Sequence, residues 1–316
     1  MRLYAAQSCA CYGVRAIAAN RQMEYRRAAM DAIAQGTLPR LEAATLDIVA
    51  DPTHRERQVL AFQDVSRGAR LWRLGLTLGW LDIKLKYRGS LLGPFWLTIS
   101  TGVMVAAMGG LYGKLFHMDL RTYLPFLALS LVMWNAISGL VSDACTTFTQ
   151  SESTIRSVRM PFFLHAVRVV TRSVISFLHN VPVILAVFAI FSIWPGYGVA
   201  FCVPGLALWM VDAFAACLLL GSFCARFRDI PPIVASIMQI MFFVTPVVWR
   251  PEQLGPKGWL LPFNPFDAIL EVVRGPLLGH TPGHLVWALA FGYSAAFCAV
   301  SWLLFARVRE RLAYWM

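Results

Sequence analysis

Charge is scarce in this sequence. Asp, Glu, Lys and Arg make up 14% of its 316 residues, against about a quarter in an ordinary soluble domain. Acidic residues are the rarer kind, 17 against 28 basic ones, for a net charge of +11. Other absences narrow the class further. No G-x-x-x-x-G-K-[ST] string occurs, so the chain cannot cradle ATP in a phosphate loop. The seven cysteines include no C-x-x-C pair, and Cys9-x-Cys11 is too short and too isolated for a zinc or dithiol site. They read as small apolar residues. No paired-acid or D-x-D constellation is present, which argues against a membrane enzyme that builds glycans. His280 and His284 lie four apart, but Pro282 separates them and no carboxylate completes a metal site. The first twenty residues carry no continuous apolar core before a small-residue site, so no cleavable signal peptide is expected.

What is present is hydrophobic. The apolar fraction is 58% and the mean hydropathy +0.59. Apolar residues gather into runs that reach the roughly 20 residues a membrane-crossing helix needs. Six spans are predicted, at Leu91–Phe116, Thr122–Cys145, Phe162–Trp194, Val199–Ala225, Ile230–Trp249 and His284–Ala306. The third is long, with its bilayer portion expected over Val174–Trp194. In a soluble chain the basic excess would suggest nucleic acid. Here it sits in short loops between apolar runs, so it is read as orienting the chain in a membrane, and no nucleic-acid partner is expected.

Residues 1–63 form an N-terminal extension without a spanning run, either disordered or a short soluble helix such as Met23–Ala34; Met23 and Met30 both stand as candidate translation starts. Residues 64–90 predict an amphipathic helix lying in the membrane interface. At 100° per residue Arg70, Arg73, Thr77, Lys84 and Arg88 form one stripe beside Leu71, Leu74, Leu78, Leu81 and Leu85. A second apolar group holds Trp72, Leu76, Trp80, Ile83 and Tyr87. Residues 91–306 are the transmembrane domain and 307–316 a basic tail. The loops on one side carry ten cations (Lys84, Lys86, Arg88, Arg156, Arg159, Arg226, Arg228, Arg307, Arg309, Arg311) against five on the other (Lys114, Arg121, Arg250, Lys257, Arg274). That asymmetry places both termini in the cytoplasm, as an even number of spans also requires. Between spans five and six, Asn264-Pro265 with Asp267 makes a helix start, and Gly275-Pro276 a stop. One or two short re-entrant helices are expected there, allowed only where protein or a cavity satisfies the backbone.

Three segments carry a resemblance: Tyr87-Arg88-Gly89-Ser90-Leu91-Leu92-Gly93-Pro94-Phe95-Trp96; Ala225-Arg226-Phe227-Arg228-Asp229-Ile230-Pro231 with Phe243-Val244-Thr245-Pro246-Val247; and Asn264-Pro265-Phe266 with Arg274-Gly275-Pro276-Leu277-Leu278-Gly279. In this order, from about Asp64 onward, they resemble the permease subunit of type-2 ABC exporters of the polysaccharide and O-antigen export family. The resemblance implies an all-α membrane protein with an interfacial gate helix, working as a homodimer in the bacterial inner membrane beside two copies of a separate ATPase. ATP and Mg then belong to that partner, with no cofactor in this chain. It further implies a lipid-linked polysaccharide as cargo.

Within that frame Lys84, Lys86 and Arg88 are candidates for a pyrophosphate headgroup, with ordinary anionic lipid an equal alternative. Glu152, Arg156 and Arg159, in a segment with Ser and Thr caps and an Ile155–Val158 pair, are candidates for docking the ATPase; a loop helix with topogenic arginines is the competing reading. Phe95, Trp96, Trp134 and Asp212 are candidate channel-lining residues, against interface belts and helix packing. The turn Arg226, Arg228, Asp229 contacts lipid phosphate or the ATPase, or simply orients and caps the next helix. A type-2 exporter of another cargo, such as a drug or small lipid, is the nearest rival. A membrane scaffold without transport is a further one.

Overall fold

The computed structural model describes residues 54–115, 118–158, 160–194 and 196–315. The expected extension up to residue 53, and Arg159 of the docking segment, lie outside the described residues. Every regular element among the described residues is helical. Two helices precede the apolar runs, α1 (His54–Arg70) and α2 (Trp72–Lys86). Then come α3 (Phe95–Leu115), α4 (Leu120–Cys145), the short α5 (Glu152–Ser157), α6 (Phe162–Phe191), α7 (Cys202–Arg226), α8 (Ile230–Val244), α9 (Pro265–Leu277) and α10 (His284–Trp315).

Five helices, α3, α4, α6, α7 and α10, are long and apolar enough to cross a membrane. The expected fifth span is helical only over Ile230–Val244, 15 residues, or about 22 Å at the α-helical rise. Its early end has a local cause. Thr245 turns to extended backbone (φ −83°, ψ 141°) because it precedes Pro246, which disfavours the α conformation in the residue before it. The C-terminal residues are not a separate tail, since α10 runs on through them to Trp315.

The helices assemble around α6, which packs on α1, α2, α3, α4 and α7, while α10 lies along α7. Two apolar clusters result. One joins Phe126, Leu129, Val187, Leu208 and Val273; the other joins Ala61, Phe148, Val170, Cys217 and Phe305. Their members define the ends of the bundle. The start of α7 meets α9, where the Cys202 thiol donates to the Val273 carbonyl at 3.3 Å. The end of α7 meets the end of α10, where the Arg226 guanidinium lies 5.3 Å from the Trp315 ring centre. At that same end Asp64 of α1 accepts the free N–H groups of Phe162 and Phe163 at 3.2 and 3.0 Å, capping α6 from another helix. It also pairs with Arg309 at 3.2 Å.

The helix predicted as an interfacial amphipath is two helices with a break at Leu71, and its faces divide differently from the expectation. Gly75, Gly79 and Ile83 form the buried side of α2, against α6. A Cβ at Gly79 would stand 2.7 Å from the Arg168 carbonyl oxygen, so only glycine allows this approach. Leu71, Trp72, Leu74, Leu76, Trp80, Leu81 and Leu85 all remain exposed, Trp80 at 59%. The two glycines let α2 lie against α6 while its long apolar side chains stay outside.

Candidate functional site

The first part of the site is the hinge between α2 and α3. The helix ends at Lys86, and Gly89 and Gly93 then take positive φ (85° and 55°), a region that L side chains rarely occupy. Ser90 Oγ accepts the Gly93 N–H at 3.1 Å and tightens the turn. Lys84, Lys86 and Arg88 all project from this hinge into the open. Phe95 and Trp96 follow at once, both more than half exposed, with Phe95 edge-on to His179 at 6.1 Å. Three cations and two aromatic rings thus flank one turn. Thr98 Oγ donates to the His179 carbonyl and fastens the start of α3 to the middle of α6.

A polar seam behind the hinge joins three parts of the chain. Asp82, the acidic residue of α2, receives both Nε and Nη2 of Arg168 at 2.7 and 2.6 Å, a planar two-bond pairing. One turn on, Arg172 lies 3.9 Å from Asp82, donates from Nε to Asp143 of α4 at 3.2 Å, and donates from Nη1 to Gln150 at 3.3 Å. Asp82, Asp143, Arg168 and Arg172 are not among the residues that the sequence marks as functional candidates. A signal was there: an acid among the basic and apolar residues of α2, and two arginines four apart in an apolar run.

Gln150 belongs to the 3₁₀ turn Thr149–Ser151 that leads into α5. Glu152 and Arg156 pair with each other at 2.8 Å across one turn of α5, both well exposed. In the turn before α8, Arg226 lies over the rings of Phe227 and Trp315, and Arg228 is exposed. Asp229 occupies the N-cap position of α8, but its side chain makes no capping hydrogen bond, contrary to the capping role expected for it.

The remaining candidates do not converge on one site. Trp134 is 4% exposed and sits among Phe242 and Phe266, with ring centres 6.0 and 5.7 Å away. Asp212 lines a cavity of about 770 Å³ with Phe177, Trp209, Phe266, Ser294 and Phe297. Its Oδ2 accepts from the Ser294 hydroxyl at 2.7 Å, so Asp212 ties α7 to α10. The side chains of Asn180 and His179 hydrogen-bond to carbonyls of their own helix.

At the opposite end, α9 holds a sealed charge cluster. Asn264 caps the helix by accepting the Phe266 N–H at 3.0 Å. Arg274, with its side chain 1% exposed, donates to Glu271 at 2.8 and 2.5 Å, to Ser130 at 3.1 Å and to the Pro246 carbonyl at 2.6 Å. It also lies 3.5 Å from Asp267 and covers the Phe126 ring at 4.7 Å. Burial pushes Asp267 up to about 7, with the Glu271 charge adding and the Arg274 charge opposing. Burial would raise Glu271 too, but Arg274 and a bond with His280 at 2.8 Å bring it below the ordinary carboxylate range. The Glu271 contact in turn raises His280. Arg274, counted from sequence as a loop cation, is therefore neutralised inside the protein.

Known proteins resemble this chain in sequence. The chain aligns with the O-antigen export system permease protein RfbA of Klebsiella pneumoniae at 19% identity, over 73% of this chain and 90% of the relative. It aligns with the protein of the same name from Myxococcus xanthus at 21% identity, over 63% of this chain and 78% of the relative. A second Klebsiella pneumoniae protein of that name matches at 22% identity, over 60% and 74%. The model of the family described as ABC-2 type transporter matches residues 74–278, from the first turn of α2 to just beyond α9, and so includes the hinge, the polar seam and Arg274 with its partners on α9. This chain belongs to the ABC-2 type transporter family.

Proposed function

We propose that this chain is the membrane subunit of an ATP-driven exporter that carries a lipid-linked polysaccharide of the O-antigen kind across the bacterial inner membrane. The observation that carries the cargo is the alignment with O-antigen export permeases over three-quarters to nine-tenths of their own length. ATP binding and hydrolysis fall to a separate subunit, since no phosphate loop occurs in the chain. Two copies of the chain work with two copies of that ATPase. The exposed apolar face of α2 and the Phe95–Trp96 pair suit contact with lipid or a second copy. Lys84, Lys86 and Arg88 would then meet the phosphates of the lipid-linked cargo. Glu152 and Arg156 on α5 offer the ATPase an exposed polar foothold.

Both termini are assigned to the cytoplasm and α8 to a sixth crossing. Supporting this, Asp64 of α1 pairs with Arg309 of α10, so these two helices meet at one end of the bundle, which requires an even number of passages between them. Residues 245–250 carry the chain on from the short α8 to the start of α4, where the Tyr123 hydroxyl donates to the Val248 carbonyl at 2.7 Å. The region 251–279 is assigned as re-entrant, with its backbone satisfied by caps and by Arg274.

Deletion of the gene tests the reading. Polymer is expected to be made and to accumulate lipid-linked inside the cell while vanishing from the surface. Normal surface polymer, or a purified subunit that binds no ATPase, would overturn it; loss of a different exported compound would reassign the cargo alone.

A further inference from the structure

The polar seam is built as a mechanical connection. Resting on the reading of α5 as the ATPase foothold, we propose that Asp82, Arg168, Arg172, Asp143 and Gln150 form a tie that moves α2 and its cationic hinge whenever the segment ahead of α5 is moved. They act as positioning residues for export, with no contact to the cargo required.

The geometry gives the connection its continuity. Gln150 stands two residues before α5 and bonds to Arg172. Arg172 reaches both Asp143, at the end of α4, and Asp82 of α2. Arg168, one turn away on the same face of α6, grips Asp82 with two bonds. No link in this chain of contacts exceeds 3.9 Å. Beside it the glycine seam removes slack: Cβ atoms at Gly75 and Gly79 would stand 2.5 and 2.7 Å from Val167 and from the Arg168 carbonyl. Helix α2 therefore cannot shift toward α6 without collision, nor leave it without breaking the Asp82 pair. Past the seam the chain is free to turn, because Gly89 and Gly93 have nothing within 4 Å of their would-be Cβ atoms. A stiff lever followed by an unpacked hinge converts a displacement at Gln150 into a rotation of Lys84, Lys86 and Arg88. The ion pairs suit a part that moves. Arg168, Arg172 and Asp82 keep side-chain exposures of 16–24%, so water can compensate each charge when a contact opens.

The test is amide hydrogen exchange on the complete complex with its ATPase, with and without ATP trapped by vanadate. In the natural protein, exchange should change both over residues 146–158 and over residues 72–87. In Asp82→Asn the first response should persist and the second be lost. Exchanging the pair, Asp82→Arg with Arg168→Asp, should restore the second. A tie that is only a structural pin gives a different pattern: Asp82→Asn lowers thermal stability while both responses remain, and that outcome overturns the proposal. If Asp82→Asn does not fold, the exchanged pair decides alone, since a folded pair without the 72–87 response also overturns it. A natural complex with no response at 146–158 instead removes the foothold reading, and the tie with it.

Discussion

The two ends of this bundle hold their charges in opposite ways. At the α9 end, Arg274, Glu271 and Asp267 lie within two turns of one helix and the arginine is sealed from solvent. At the other end the pairs Asp82–Arg168, Asp143–Arg172 and Asp64–Arg309 join residues far apart in sequence, and most keep partial access to water. A sealed local cluster cannot open without stranding a charge, so it serves as an anchor. Partly exposed pairs between separate helices can open and close at modest cost, so they suit joints. The fold thus carries a fixed end and an adjustable one.

Removing Arg274 is the sharpest way to break the fixed end. Arg274→Ala leaves Glu271 and Asp267 buried without their cation and deprives Ser130 and the Pro246 carbonyl of a donor. A loss of about 3–5 kcal/mol is expected, the usual range for breaking a buried pair from one side. Arg274→Lys should recover only part of it, because an ammonium cannot serve Glu271, Ser130 and Pro246 in one plane. Thermal unfolding in detergent measures both. If Arg274→Ala costs no more than Arg168→Ala, the distinction between the ends fails.

The adjustable end is tested by overpacking. Gly79→Leu places side-chain atoms where the Arg168 carbonyl and Thr171 already stand. It should cost about 1–3 kcal/mol and push α2 off α6, with loss of export beyond the loss of folded protein. Quantifying surface polymer against the amount of folded subunit separates the two effects.

How far each end was legible follows from the same physics. The α9 cap at Asn264 is a local signal, and it appears as the sequence predicts, with the side chain accepting from Phe266. The spans were legible because lipid demands length and apolarity: Leu91–Phe116 is observed as Phe95–Leu115, and Thr122–Cys145 as Leu120–Cys145. Which face of a helix turns inward was not legible, because lipid is as apolar as the protein interior and periodicity loses its meaning. Hence α2 buries Gly75 and Gly79 while its leucines stay outside, and Trp134 is core while Phe95 is exposed. The Asp82–Arg168 pair spans 86 residues and only packing reveals it.

Asp212 offers a milder probe, within the bundle between the two ends. It touches α10 through Ser294, so Asp212→Ala removes one interhelical hydrogen bond and should cost about 1 kcal/mol. Asp212→Asn keeps an acceptor for Ser294 and should cost less. A loss of export in Asp212→Asn with unfolding unchanged would move Asp212 from packing to transport.

The smallest expected effect is the pH response of the fixed end. His280 is raised by its bond to Glu271, so the stability it adds is fully present below the unfolded value of about 6.5 and is lost as pH climbs through the higher folded value. Asp267 acts in the same direction: its folded value of about 7 exceeds the unfolded one, so stability declines as pH rises from about 4 to 7 and then levels. Glu271, lowered in the folded protein, opposes both only where pH falls toward its own titration below about 4.5. Between pH 6 and 8 the melting temperature should therefore fall gently. His280 is 57% exposed, so water screens its share to ~1 kcal/mol or less. His280→Gln should flatten the upper part of that slope and leave the part below pH 7 that belongs to Asp267. A slope of equal size in an Asp267→Asn, His280→Gln double variant would show that the titrating groups lie elsewhere.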